Sequence, residues 1–232
     1  MRLNSALASS FSFVPIVLAG WFHEVPWAGA VLSEGNEGTY TAAIGSFNVP
    51  SASGDHGMTI VVGIGGRGVE CDIAFAAGID VLVYGNVVSY VGWATWGAQT
   101  VTPLKFDISQ GDIIRAGVYV YSTTTGSALL ENLTNGEAWW EFFITDEPMV
   151  CQRSAEWVVT PLANYLPRVP TEIPIPKFSE VTFLNATAEI AGGAYVTPGP
   201  GGAYIINNIE YNNIPLTTGT VYKDTVVIAS TM

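Results

Sequence analysis

Apolar residues in this chain recur at every second position or in short unbroken runs, and no long window repeats them at helical spacing. Over 113–123 the alternation sets Ile114, Ala116, Val118 and Val120 on one face of a strand. Residues 40–49 and 58–64 read as strands, punctuated by turn-formers at 50–54 and 65–68. Strand-like runs follow at 71–77, 81–84 and 87–96. The pair Asn135-Gly136 lies between 128–133 and 138–145 and predicts a hairpin there. Runs at 155–159, 181–190, 203–209 and 221–230 complete the set. The Pro-rich segment 161–176 reads as a connection draped over a sheet, because further strands come after it. Many short strands with no helix between them predict an all-β fold, an antiparallel two-sheet β-sandwich. We expect one such domain over 27–232, preceded by an arm or uncleaved leader-like segment over 1–26.

Composition sharpens this picture. Hydrophobic residues make up 49% and charged residues 12%, so a large share of the side chains must be buried in packed sheets. The net charge of −12 repels phosphate backbones and anionic membranes, which argues against a nucleic-acid partner, and it suits a protein living at low pH. The apolar stretch 11–22 is too short and too interrupted, by Ser12 and Pro15, to span a bilayer. His23 and His56 have no Cys or His at ligand spacing, so no metal or cofactor is expected. No serine sits in a Gly-x-Ser-x-Gly elbow. The glycines of 63–68 precede no helix and read as a hairpin turn, not a phosphate cradle. Asn132 and Asn185 head glycan-acceptor triplets if the chain is secreted. Cys71 and Cys151, about eighty residues apart, are either two buried thiols or one disulfide worth roughly 4 kcal/mol. Spacing alone does not choose.

Several segments, taken in order, carry a resemblance. They are Trp27-Ala28-Gly29-Ala30-Val31-Leu32, Asn48-Val49-Pro50-Ser51-Ala52-Ser53, Val62-Gly63-Ile64 followed by Cys71, Gly78-Ile79-Asp80 and Trp93-Ala94-Thr95-Trp96. Further along come Ile108-Ser109-Gln110-Gly111-Asp112, the stretch 131–136, the stretch 151–159 and Ile205-Ile206-Asn207-Asn208. Together they resemble the fungal glutamic peptidases, or eqolisins. The resemblance implies two bent antiparallel sheets with a substrate groove on a concave face, a Cys71–Cys151 disulfide and an extracellular location. It also implies a glutamate acting as general base on a water and a glutamine amide stabilising the oxyanion.

The same resemblance puts Ala76 at the glutamine's position and Thr160 at the glutamate's. Ala76 has no polar side-chain atom, and a threonine hydroxyl is no base near neutral or acid pH. Val61, Gly65 and Thr95 replace a groove tryptophan, an acid and a glutamate. Glu156 is the one substitute carboxylate on the same strand face, but it lies roughly 13 Å from Thr160 along the strand. Asp80, Glu141, Asp146 and Glu147 read as turn or surface acids. Groove-lining candidates are Val61, Trp93, Thr95, Trp96 and Val158. The two tryptophans, three apart, face opposite sides of one strand, so one lines the groove while the other packs the core.

These features predict a non-catalytic relative of the peptidases whose groove serves binding or structure, its ligand a peptide, a carbohydrate or a small apolar molecule. The alternatives are a working acid glutamic endopeptidase, a different chemistry on a small apolar substrate in the same groove, and a component of a homo-oligomer or larger assembly.

Overall fold

A computed structural model of the protein describes residues 26–33, 39–54, 56–65, 74–97, 99–103, 105–146, 150–162, 175–199, 204–211 and 213–232. Strands account for most of it: β1 Ala28–Ser33, β2 Tyr40–Asn48, β3 Ala52–Ser53, β4 His56–Ile64, β5 Phe75–Tyr84, β6 Val87–Trp96 and β7 Gln99–Val101. Next come β8 Ile113–Ser122, β9 Thr125–Asn132, β10 Ala138–Ile144, β11 Ser154–Pro161, β12 Lys177–Phe178, β13 Val181–Ile190 and β14 Ala194–Val196. The last are β15 Tyr204–Asn207, β16 Glu210–Tyr211, β17 Ile214–Pro215, β18 Thr217–Tyr222 and β19 Thr225–Ser230. No helix occurs among the described residues.

The strands build two large antiparallel sheets. One runs β15-β1-β11-β4-β5-β6-β7, and the other β10-β9-β8-β2-β13-β19-β18 with β14 added on β13. Odd residues of β11 and β5 (Trp157, Val159, Phe75, Ala77, Ile79) and even residues of β8 (Ile114, Ala116, Val118) meet between the sheets as one apolar core. This is the period of two that the sequence pattern carries. Trp157 is fully buried there, and its Nε1 donates to the Ile44 carbonyl at 2.9 Å, tying β11 to β2 across the layers. Burial of an indole drives such packing, while the polar N–H still needs an acceptor.

Two strand expectations need correction. From Phe75 onward the expected runs 71–77 and 81–84 are one unbroken strand, β5, while residues 71–73 lie outside the described residues. Gly78 reads as punctuation in sequence, yet it sits mid-strand, because a Cβ there would lie 2.0 Å from the Ile60 carbonyl oxygen. Conversely, 221–230 is not one strand. It turns at Lys223-Asp224, where Tyr222 pairs with Thr225, and so divides between β18 and β19. That two-residue turn contains neither glycine nor proline, so it gave no sequence signal. The hairpin of β9 and β10 forms where Asn135-Gly136 predicted it. Residues 1–25 and 163–174 lie outside the described residues.

Candidate functional site

The four strands β11, β4, β5 and β6 send their alternate side chains away from the core, onto the outer face of the seven-stranded sheet. Their registers fix three rows. Glu156 pairs with Gly63, Gly63 with Ala76, and Ala76 with Thr95. Val158, Val61, Gly78 and Trp93 form the next row, and Thr160, Thr59, Asp80 and Val91 the third. Val61 therefore stands at the centre of a rectangle whose corners are Glu156, Ala76, Asp80 and Thr160.

Ala76 and Thr160 occupy one diagonal, two strands and four residues apart, which is roughly 16 Å between Cα atoms. Long side chains at both corners, leaning inward, would meet over Val61. An alanine methyl and a threonine hydroxyl do not reach. The Thr160 Oγ1 instead donates to the Pro26 carbonyl at 3.1 Å. The centre is apolar: Val31, Val61, Ala76, Val158 and Trp93 make a small cluster of buried side chains against which Trp27 packs. Each such apolar side chain contributes about 1.5–3 kcal/mol when fully buried.

The other diagonal carries two carboxylates. Glu156 is fully buried, and its Oε1 lies over Gly63, where an added Cβ would meet it at 3.2 Å and the Ala76 Cβ at 3.0 Å. Asp80 was expected to be a turn or surface acid, and that expectation fails. It sits mid-strand in β5, and its Oδ1 accepts hydrogen bonds from Thr59 Oγ1 at 2.7 Å and Trp93 Nε1 at 2.9 Å. Burial raises its pKa from 3.8 to about 6, against the two hydrogen bonds, which pull it down. A carboxyl group that titrates near pH 6 can take up and release a proton in the mildly acidic range. The signal for it was present in the sequence: Asp80 has the same parity as Ala76, so both had to share a face.

The remaining candidates divide. Val61, Trp93, Thr95 and Val158 share this face of the sheet, and Thr95 Oγ1 lies 3.0 Å from Thr100 Oγ1. Trp96 does not join them. It packs in the intersheet core, 4.6 Å from the Phe75 ring centroid, so Trp93 is the tryptophan of this face. Glu141 and Asp146 stay at the β10 strand and the turn after it, while Glu147 lies outside the described residues. Cys151 precedes β11, and its expected partner Cys71 lies outside the described residues as well.

Asn132 is corrected as a glycan acceptor. It is fully buried, and its Nδ2 donates to the Asp107 carbonyl at 3.0 Å and to Asp112 Oδ2 at 2.8 Å. Its Oδ1 accepts from the backbone N–H of Thr134 at 3.0 Å, so the side chain organises the β9–β10 turn. Asn185 is exposed. Among the described residues no cluster of His, Cys, Asp or Glu could hold a metal, and no helix is long and apolar enough to cross a membrane.

The profile of the peptidase A4 family matches residues 25–230. Aspergillopepsin-2 of Aspergillus niger is 31% identical over 225 residues, covering 87% of this chain and 76% of that protein. Scytalidopepsin B of Scytalidium lignicola is 33% identical over 139 residues, 59% of this chain and 51% of that one. Scytalido-glutamic peptidase, solved with a peptide-based transition-state analog, superposes with a TM-score of 0.76 at 29% identity and covers 89% of this chain and 98% of its own. Aspergilloglutamic peptidase from Aspergillus niger gives a TM-score of 0.66 at 28% identity, covering 76% and 99%.

Proposed function

The chain belongs to the peptidase A4 family, and from that premise we propose that it is a member without peptide hydrolysis, a binding or structural protein that uses the same sheet face. One observation carries this reading. The corners occupied by Ala76 and Thr160 hold a methyl and a hydroxyl already bonded to Pro26, while Val61 fills the space between them. Hydrolysis in the glutamic peptidases requires a proton acceptor and an amide donor on one water. Loss of one oxyanion donor alone costs about 10²–10³ in turnover. The ligand is a peptide, a carbohydrate or a small apolar molecule held at this sheet face, whose floor of Val61, Val158 and Trp93 is buried with Trp27 packed against it. The exposed Asn185 triplet and the acidic charge support an extracellular location.

A second reading rests on Asp80. Its carboxyl, near pH 6, shares this face with Glu156, so acid–base chemistry along the other diagonal is the alternative. Incubation of the protein with an unfolded substrate protein between about pH 2 and about pH 5 separates the readings. An Ala76→Gln, Thr160→Glu double variant serves as comparison. The unmodified protein is expected to leave the substrate intact. Cleavage that disappears in an Asp80→Asn variant would overturn the proposal in favour of the second reading.

A further inference from the structure

We propose that the β10 edge of the eight-stranded sheet is a self-association surface on which a second copy of this chain pairs antiparallel. β10 ends its sheet, with β9 on one side and no described strand on the other. The bonds from Asn132 N–H to the Glu137 carbonyl and from Thr145 N–H to the Thr124 carbonyl set the hydrogen-bonding parity of the β9–β10 ladder. Odd residues of β10 bond toward β9, and the N–H and C=O groups of Ala138, Trp140, Phe142 and Ile144 point to the open edge.

Those same residues carry β10's outward side chains. Trp140 is 56% exposed, Phe142 55% and Ile144 66%, and Tyr121 of β8 beside them is 61% exposed. The rings are ordered: Trp140 stacks on Tyr119 at 5.8 Å and Phe142 on Tyr121 at 6.1 Å. Natural edge strands are blunted by prolines, bulges, edge lysines or inward-pointing charges, and of these β10 carries only the inward Glu141. β10 has no proline, its register with β9 runs without a shift, and its one charge, Glu141, projects from the other face. The four exposed side chains present on the order of 500 Å² of mostly apolar surface. That is near the upper end of what monomers leave open and a large part of the ~800 Å² per partner of a stable interface.

A second copy fits because the surface is self-complementary in both chemistries, edge hydrogen bonds and aromatic contacts, as a twofold interface requires. A twofold axis at Phe142 sets Trp140 against Ile144 of the second copy and keeps the two Glu141 carboxylates apart. With −12 on each chain, added salt should strengthen the association by screening.

Sedimentation equilibrium of the full chain between about 1 μM and about 100 μM tests this. The expected result is a shift from monomer to twice the monomer mass, favoured by salt. In a Trp140→Thr, Phe142→Thr variant the dissociation constant should rise about thirtyfold or more. Tyr222→Thr, on β18 at the far end of the sheet, should leave it unchanged. Hydrogen exchange at the amides of Ala138, Trp140, Phe142 and Ile144 should slow with protein concentration, while the odd-numbered amides of β10 do not change. That readout needs no variant. A mass that stays monomeric throughout, a dimer indifferent to the double variant, or even-numbered amides that ignore concentration each overturns the proposal. So does retention of a monomeric wild type on an insoluble neutral polysaccharide that the double variant abolishes, which would assign the face to a glycan.

Discussion

Asp80→Asn isolates the energetic cost of a half-buried charge. Folding raises the Asp80 pKa from 3.8 to about 6, so the folded protein holds that proton more tightly than the unfolded chain does. A group shifted upward favours the fold at low pH, and the contribution is lost as pH rises from 3.8 through about 6. Above that range the ionised carboxylate is held without full solvation, and the difference corresponds to about 3 kcal/mol. An asparagine keeps an oxygen that accepts from Thr59 and Trp93 but carries no charge to desolvate. Its NH₂ group adds an unmatched donor that costs about 1–3 kcal/mol at every pH. The decisive quantity is therefore the change with pH, not the absolute stability. Denaturant unfolding of both proteins, with the disulfide state held constant, gives the stability difference at about pH 3 and at about pH 7. Subtracting the variant cancels the other carboxylates. The variant should gain about 3 kcal/mol on the wild type between the two pH values. Parallel curves, within about 0.5 kcal/mol, would refute the claim that this carboxyl pays for its burial.

Two further outcomes follow from the same coordinates. Trp157→Phe should lower stability by about 1–3 kcal/mol in denaturant unfolding, because it removes the hydrogen bond to the Ile44 carbonyl and leaves a void between the sheets. Expression in a glycosylating host should place glycan at Asn185 and none at Asn132, as read by peptide mass mapping, while Asn132→Ala should destabilise the β9–β10 turn and lower the melting temperature.

How far the sequence could be read depends on which physical signal each residue carries. Strand periodicity is local, so the sequence alone assigns Ile114, Ala116, Val118 and Val120 to one buried face, and they lie there. Parity within one strand also separated Trp93 from Trp96 but could not say which of them faced the core. That choice depends on Phe75, the cross-strand partner of Trp96 in the β5–β6 hairpin, and on Phe143 packed against Phe75 from the other sheet, a contact no local pattern encodes. Asp80 shows the opposite failure. Its sequence neighbours Gly78 and Ile79 suggested a turn, because glycine usually marks one, whereas this glycine is needed for close approach of β4. Asn132 failed for a similar reason. An Asn-x-Thr triplet is a surface signal only when its amide is free, and here the turn consumes it.

The two diagonals across Val61 are coupled by solvation. The resemblance assigns two polar, hydrogen-bonding side chains to the corners now held by Ala76 and Thr160. With a methyl at one corner, a hydroxyl turned to Pro26 at the other and a valine between, the middle of the face holds little that solvates charge. A carboxyl group bordering such a face is harder to ionise, and burial raises the pKa of Asp80 in that direction. On the proposed reading, the raised pKa of Asp80 belongs to the same apolar face as Ala76 and Thr160. A face of this kind holds an uncharged ligand without a desolvation penalty, since at mildly acid pH its nearest carboxyl can be neutral too. At higher pH the same ligand would sit beside a half-buried anion. Its affinity should therefore fall as pH rises through about 6, in step with the wild-type stability. Isothermal titration with a neutral aromatic ligand on either side of that pH measures it. Affinity that does not vary with pH in the wild type, or that varies equally in Asp80→Asn, would separate ligand binding from this carboxyl.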